Sequence, residues 1–194
     1  PEICPACEHE VFKPQGEVVS RCQNVSCSAQ VKGRIEHFVS KSALDIDGFG
    51  EKLVNQLVDN KMVQTVDEIF KLTFQDLVNL ERMAEKSAEN IFNAIESSKQ
   101  TSFNRFIYAL GIRNVGSHLS KVIEKAFNSN IDDFMNATYD QLEEIDEVGP
   151  IVAETIIKFW EDTSNIDLVK SCLSLGVKLN PSTKLNSQKL INKI

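Results

Sequence analysis

Four of the five cysteines lie in the first 27 residues, as Cys4-x2-Cys7 and then Cys22-x4-Cys27. Two short-spaced pairs separated by a 14-residue loop suit a tetrahedral Cys4 zinc site, each pair on a tight turn with both thiolates facing one point. Four thiolates fill the coordination sphere, so this chemistry is structural; a catalytic zinc keeps one position open. A disulfide framework needs an oxidising compartment, to which nothing in the sequence points. A redox Cys-x-x-Cys normally sits in a βαβ setting, which the sequence lacks. The strongly apolar residues of this segment are only Ile3, Val11, Phe12, Val18, Val19 and Val25. That is too few for a core, and zinc binding supplies about 10–16 kcal/mol towards ordering such a piece. His9 and His37 read as surface residues. Cys172, at helical spacing from Leu168, Val169 and Leu175, reads as a core thiol.

A second chemistry is carried by a repeated phrase: apolar, two variable, apolar, glycine. It occurs at Ile46–Gly50, Leu80–Ala84, Ile112–Gly116 and Ile145–Gly149, at spacings of 34, 32 and 33 residues, and the second copy ends in Ala84. The terminal glycine permits a positive φ and a close backbone approach. The next helix begins there, so its first N–H groups have no acceptor within the helix. Those amides and the positive end of the helix dipole make a phosphate site that requires no side-chain charge.

Charge bears on this reading. The chain carries 21 basic and 28 acidic residues, net −7, which argues mildly against a nucleic-acid binder. Screening beyond about 8 Å makes local charge the better guide. Residues 101–130 hold Arg105, Arg113, Lys121 and Lys125 against Glu124 alone. Residues 43–100 and 131–170 are acidic, the latter with 11 acidic side chains against 2 basic. Backbone amides let an acidic protein hold DNA at a few points.

The elements that position these corners are helices. The chain is 194 residues long, 42% apolar and 25% charged, enough to bury a core. Its longest apolar stretch, Phe106 to Ile112, is far short of the roughly 20 residues that span a bilayer, so no membrane partner is expected. Beyond residue 30 apolar residues recur three and four apart and alternating runs are missing. The fold class expected is mostly α: a small zinc finger followed by a compact helical domain. Thr73, Ser102 and Thr138 mark helix starts, Thr138-x-x-Gln141 fits a capping box, and Pro150 suits a first turn. Three residues past the phrase come Leu53, Ser87, Leu119 and Val152; seven past it come Leu57, Ile91, Ile123 and Ile156, one face throughout. Phe103, Phe106, Phe134, Phe159 and Trp160 read as core. A repeat near 33 residues also fits tetratricopeptide or ankyrin arrays, but their signature phrases are missing and the recurring element is the corner. A helical-repeat protein-interaction scaffold with a zinc anchor is the alternative reading, and a base-excision glycosylase is a remoter one.

The apolar-x-x-apolar-Gly corner resembles the helix-hairpin-helix motif. Four such corners behind a Cys4 finger resemble the bacterial NAD-dependent DNA ligases. The likeness covers residues 1 to about 180 and rests on Cys4-Pro-Ala-Cys7, Arg21-Cys22, Cys27, His37-Phe-Val-Ser40, Ala43-Leu-Asp-Ile-Asp-Gly-Phe-Gly50, Leu80-Glu-Arg-Met83, Lys86-Ser-Ala88 and Ala109-Leu-Gly-Ile-Arg-Asn-Val-Gly116. The resemblance implies a parent enzyme that seals nicks in replication and repair, using NAD and Mg2+, in the bacterial cytoplasm at the nucleoid. It implies an upstream adenylation domain and oligonucleotide-binding barrel, and a downstream BRCT domain. The opening Pro1 is read as the start of a piece of something longer. The expected division is a finger over 1–30, a helix-hairpin-helix domain over 31–180 and a linker over 181–194. No Lys-x-Asp-Gly adenylation motif occurs, so the chain alone is expected to be inactive.

Carried over residue by residue, the resemblance makes Cys4, Cys7, Cys22 and Cys27 zinc ligands and assigns contacts with nicked duplex DNA. Gly50, Gly116 and Gly149 match the hairpin glycines and Gly48 the extra glycine of the first. Arg82, Lys86 and Arg113 stand beside corners to pair with phosphates, and Asn114, Ser117, His118 and Lys121 flank the third. The grip is from the minor groove and independent of sequence. Ala84 departs from glycine; a positive φ there costs about 1 kcal/mol, so that hairpin is expected to be reshaped. Asp146 and Glu147 lie inside the fourth corner, whose Gly149 is expected to serve the fold more than DNA.

Overall fold

The computed structural model describes residues 2–13, 20–24 and 27–182; Pro1, Val18, Val19, Val25 and the tail from residue 183 lie outside the described residues. The finger is a minimal hairpin. Strand β1 (Val11–Phe12) pairs antiparallel with β2 (Arg21–Cys22), placing Val11 opposite Cys22, and Ile3 bridges Glu10.

The rest is helical. In order come α1 (Ser28–Val39), α2 (Glu51–Asp59), a 3-10 helix (Val66–Lys71), α3 (Phe74–Val78) and α4 (Glu85–Ser98). After a short strand, β3 (Gln100–Ser102), follow α5 (Phe103–Ala109), α6 (Ser117–Ala126), α7 (Ile131–Met135), α8 (Tyr139–Glu143), α9 (Pro150–Glu161), α10 (Thr163–Ser174) and β4 (Lys178–Asn180). The starts have local causes. Thr73 with Asp76 and Thr138 with Gln141 form reciprocal capping boxes on α3 and α8, and Pro150 takes the first turn of α9. Ser102 stands at the N-cap of α5 without a side-chain cap bond. No helix among the described residues is long and apolar enough to cross a membrane.

One apolar cluster runs from Val31 to Val177. The repeat register shapes it. Seven residues past each corner, Leu57, Ile91, Ile123 and Ile156 are buried, but three past it Ser87 is exposed. The position that closes the packing is the fourth. Val54, Ala88, Ser120 and Ala153 are all fully buried, small enough for each helix to approach its neighbours. The Ser120 hydroxyl is satisfied by donating to the Gly116 carbonyl at 2.9 Å. Phe134 anchors the C-terminal half edge-on to Phe103 and Trp160. Phe106 is buried and Phe159 half-buried against Trp160. Cys172 is fully buried, and burial pushes its thiol up to about 12.

Three long-range ties were not visible in the helical pattern. β3 and β4 form a parallel ladder, Gln100 to Ser102 against Lys178 to Asn180. Beside it, buried Glu124 accepts from the Ser182 main-chain N–H at 2.7 Å and its hydroxyl at 2.6 Å. Ser171 of α10 donates to Asp67 of the 3-10 helix at 2.6 Å. His37, expected on the surface, is half-buried instead: its Nε2 meets the Tyr108 carbonyl at 2.8 Å and its ring packs against Tyr108.

Candidate nucleic-acid interface and metal centre

The metal centre is built from three local pieces. A turn brings Cys4 to Cys7, its ends tied by Cys4 N–H to the His9 carbonyl at 2.8 Å and Glu8 N–H to the Cys4 carbonyl at 2.9 Å. β2 carries Cys22, and Cys27 is the N-cap of α1, where the helix dipole favours a thiolate. The four Sγ atoms lie within 4.8 Å of one another, with Cys4–Cys27 at 3.9 Å and Cys7–Cys22 at 3.5 Å. A tetrahedron with Zn–S bonds of about 2.3 Å has edges of about 3.8 Å, so the donor set fits zinc. The His9 main-chain N–H directed at Cys7 pulls that thiol down, towards the thiolate a metal needs, whereas at Cys22 the Asn24 backbone hydrogen bond is outweighed by burial and the neighbouring thiols, which push the thiol up. When bound, zinc supplies a cross-link between turn, strand and helix; it leaves no open position for catalysis.

The four corners share one geometry, and it differs from the expectation in one respect. The residue that ends each phrase is a helix N-cap in ordinary extended conformation: Gly50 at φ −80°, Ala84 at −75°, Gly116 at −81° and Gly149 at −84°. The positive φ falls two residues earlier, on the third residue of the phrase: Gly48 (85°), Arg82 (58°), Asn114 (64°) and Glu147 (71°). Ala84 is therefore unstrained, and the second corner is not reshaped. Gly48 is the corner residue whose glycine is required by the chain itself, since a Cβ there would lie 2.7 Å from Ile91 Cγ1 as well as at positive φ. At Gly50, Gly116 and Gly149 a Cβ would meet nothing within 4 Å. This removes the internal reason for Gly149 to serve the fold.

The corners come in pairs. Gln56 of α2 donates to the Glu81 carbonyl at 3.3 Å, joining corners one and two around a cleft of about 690 Å³. Gly48, Gly50, Lys52 and Arg82 line it. Corners three and four are joined by His118 Nε2 to Glu147 Oε2 at 2.7 Å and by Asn114 Nδ2 to Thr155 Oγ1 at 3.5 Å.

All eleven corner residues singled out from the sequence are exposed, namely Gly48, Gly50, Arg82, Lys86, Arg113, Asn114, Gly116, Ser117, His118, Lys121 and Gly149. The structure distributes them over two paired sites. Lys86 is already in an ion pair with Glu89 at 2.8 Å. Arg105, counted in the basic window, is engaged within the chain. Its Nε donates to the Ala43 carbonyl at 2.6 Å and its Nη2 to the Lys41 carbonyl at 2.7 Å, bracing the approach to corner one. Lys52 was missed. The signal was in the register: it stands two residues past Gly50, as Lys86 stands two past Ala84.

A Cys4 cluster ahead of paired helix-corner-helix units defines a zinc-finger, helix-hairpin-helix protein, and the known families agree. The profile "NAD-dependent DNA ligase C4 zinc finger domain" matches residues 4–29, "SAM-like Helix-hairpin-helix tandem" residues 40–97, and "Helix-hairpin-helix motif" residues 105–169. The chain is 42% identical over 177 residues to a DNA ligase of Syntrophus aciditrophicus, 44% over 178 to one of Geotalea uraniireducens and 39% over 193 to one of Syntrophotalea carbinolica. These alignments cover 91%, 92% and 100% of the chain but 26%, 26% and 29% of the relatives, so it spans little more than a quarter of their length. The chain belongs to the NAD-dependent DNA ligase family, over its zinc-finger and helix-hairpin-helix region.

Proposed function

We propose that this chain is the duplex-gripping section of a ligase that seals nicks in DNA replication and repair, binding backbone phosphates from the minor groove without reading sequence. The observation that carries the reading is the open space at the N-caps of corners one and three. Gly50 and Gly116 have unstrained φ and no neighbour within 4 Å of a Cβ, so packing and conformation give no reason for glycine there. A bare N-cap beside unpaired helix amides suits a phosphate oxygen that must come close to the main chain. Lys52, Arg82, Lys86, Arg113 and Lys121 supply cations around those amides, with Asn114, Ser117 and His118 as further side-chain donors.

The division follows the chemistry: a finger over 1–30 ordered by structural zinc, a helix-hairpin-helix domain over 31–180, and a linker over 181–194 towards a BRCT domain. Adenylation with NAD and Mg2+ belongs to an upstream domain joined through an oligonucleotide-binding barrel, and the parent works in the bacterial cytoplasm at the nucleoid. The Lys-x-Asp-Gly motif of that domain does not occur in this sequence.

Fluorescence anisotropy with nicked duplex tests the reading. Binding is expected at about 10⁻⁴ to 10⁻⁶ M, with a log–log salt slope of about −3.6 if some four phosphates are neutralised by cations, and shallower where amides do the work. Indifference to duplex by a folded chain overturns it and favours the protein-interaction scaffold. Incubation with NAD and nicked DNA is expected to leave the chain unadenylated; a labelled adduct refutes that.

A further inference from the structure

The corners carry a second register, which sets the fourth apart from the first two. Two residues past the N-cap, on the first turn of each following helix, stand Lys52, Lys86, His118 and Ile151. The third residue of the phrase, held at positive φ, runs Gly48, Arg82, Asn114 and Glu147. Corners one and two thus pair a lysine with a neutral or cationic residue. Corner four pairs an isoleucine, 72% exposed, with a carboxylate. That carboxylate is engaged: Glu147 Oε2 lies 2.7 Å from His118 Nε2, the side chains being 56% and 74% exposed. An anion from corner four therefore sits on the side chain that, in corners one and two, is a lysine.

We propose that Glu147 is an internal competitor of the DNA phosphate at the third corner, and that phosphate engages His118 only by displacing it. This rests on the phosphate-binding reading above. A carboxylate only accepts, so Nε2 carries the hydrogen, and one N–H serves one anion well at a time. Carboxylate and phosphate oxygens compete for it directly. An exposed pair of this kind is weak, so the contact is displaceable rather than a permanent block. The other charged residues of these two corners and of the helices that follow them include Arg113, Lys121, Asp146, and Glu154 with its partner Lys158. Two like charges about 6 Å apart in water repel by enough to change affinity about threefold.

The test is a double-mutant cycle on the full chain, read by anisotropy with nicked duplex at constant salt and neutral pH. Glu147→Gln is expected to tighten binding about threefold. His118→Gln is expected to cost about threefold more in the Glu147→Gln background, where His118 is released to the phosphate, than in the parent chain. Asp146→Asn controls for charge alone: it is expected to leave the cost of His118→Gln unchanged. The His118 ring C–H resonance is expected to respond to duplex more strongly in Glu147→Gln than in the parent. Equal costs of His118→Gln in both backgrounds, or no tightening by Glu147→Gln, overturn the proposal while duplex binding by the parent chain upholds the reading beneath it. No binding by any of the proteins overturns both.

Discussion

At the scale of single residues, the corner glycines separate into two kinds. Gly48 is held at φ 85° against Ile91, so the chain needs a glycine there. Gly50, Gly116 and Gly149 are extended and open, so the chain does not. Gly48→Val is expected to cost about 2–4 kcal/mol of stability in denaturant titration, from left-handed strain and overpacking together. Gly116→Val is expected to cost only about 1 kcal/mol of stability, the N-cap preference for glycine, while weakening duplex binding about tenfold, the worth of one charge-assisted hydrogen bond. Unchanged affinity would remove the reason given for that glycine. For Gly149→Val a similar small loss of stability is expected with affinity unchanged, because the flanking residues there are Glu147 and exposed Ile151. Glycine stands at the last residue of the phrase three times in four, yet the backbone angles put the positive φ two residues earlier, on Arg82, Asn114 and Glu147 as well as Gly48.

At the scale of elements, the 3-10 helix and α10 are joined by Asp67, 104 residues from Ser171. Burial alone would push the Asp67 carboxyl up, but hydrogen bonds from Ser171 and Thr65 and the Lys71 ammonium at 3.3 Å outweigh it, and the net shift is downward. A carboxyl lowered by folding stabilises above its unfolded value, about 3.9, and that contribution is lost as pH falls through the lower folded value. Asp67→Asn is expected to cost about 1–3 kcal/mol at neutral pH. The difference from the parent chain should shrink below about pH 4. A pH-independent difference in thermal or denaturant midpoints would contradict the assignment. The finger is a separate element in energetic terms, since the apolar cluster begins at Val31. Chelation of zinc is expected to collapse the amide dispersion of the Cys4 to Cys27 segment and leave the helical circular dichroism intact. Loss of helix on chelation would show that the finger props the helical domain.

At the scale of the whole molecule, an acidic chain presents local sites rather than a basic face. Arg105 is spent on the Lys41 and Ala43 carbonyls, and acidic residues crowd corner four, so overall charge predicts little about what each corner meets. The sequence by itself determined the metal centre, because thiolate spacing of two and four residues leaves zinc few geometric alternatives. It also determined the helical class and the places where helices turn, because a phrase recurring every 32 to 34 residues in register with buried Leu57, Ile91, Ile123 and Ile156 is a local property. Tertiary structure alone decided which corners face each other, which cations remain at the surface and what His118 touches. Those depend on contacts between residues far apart in the chain, Gln56 with Glu81, His118 with Glu147, Ser182 with Glu124, and such contacts leave no periodic trace along the sequence.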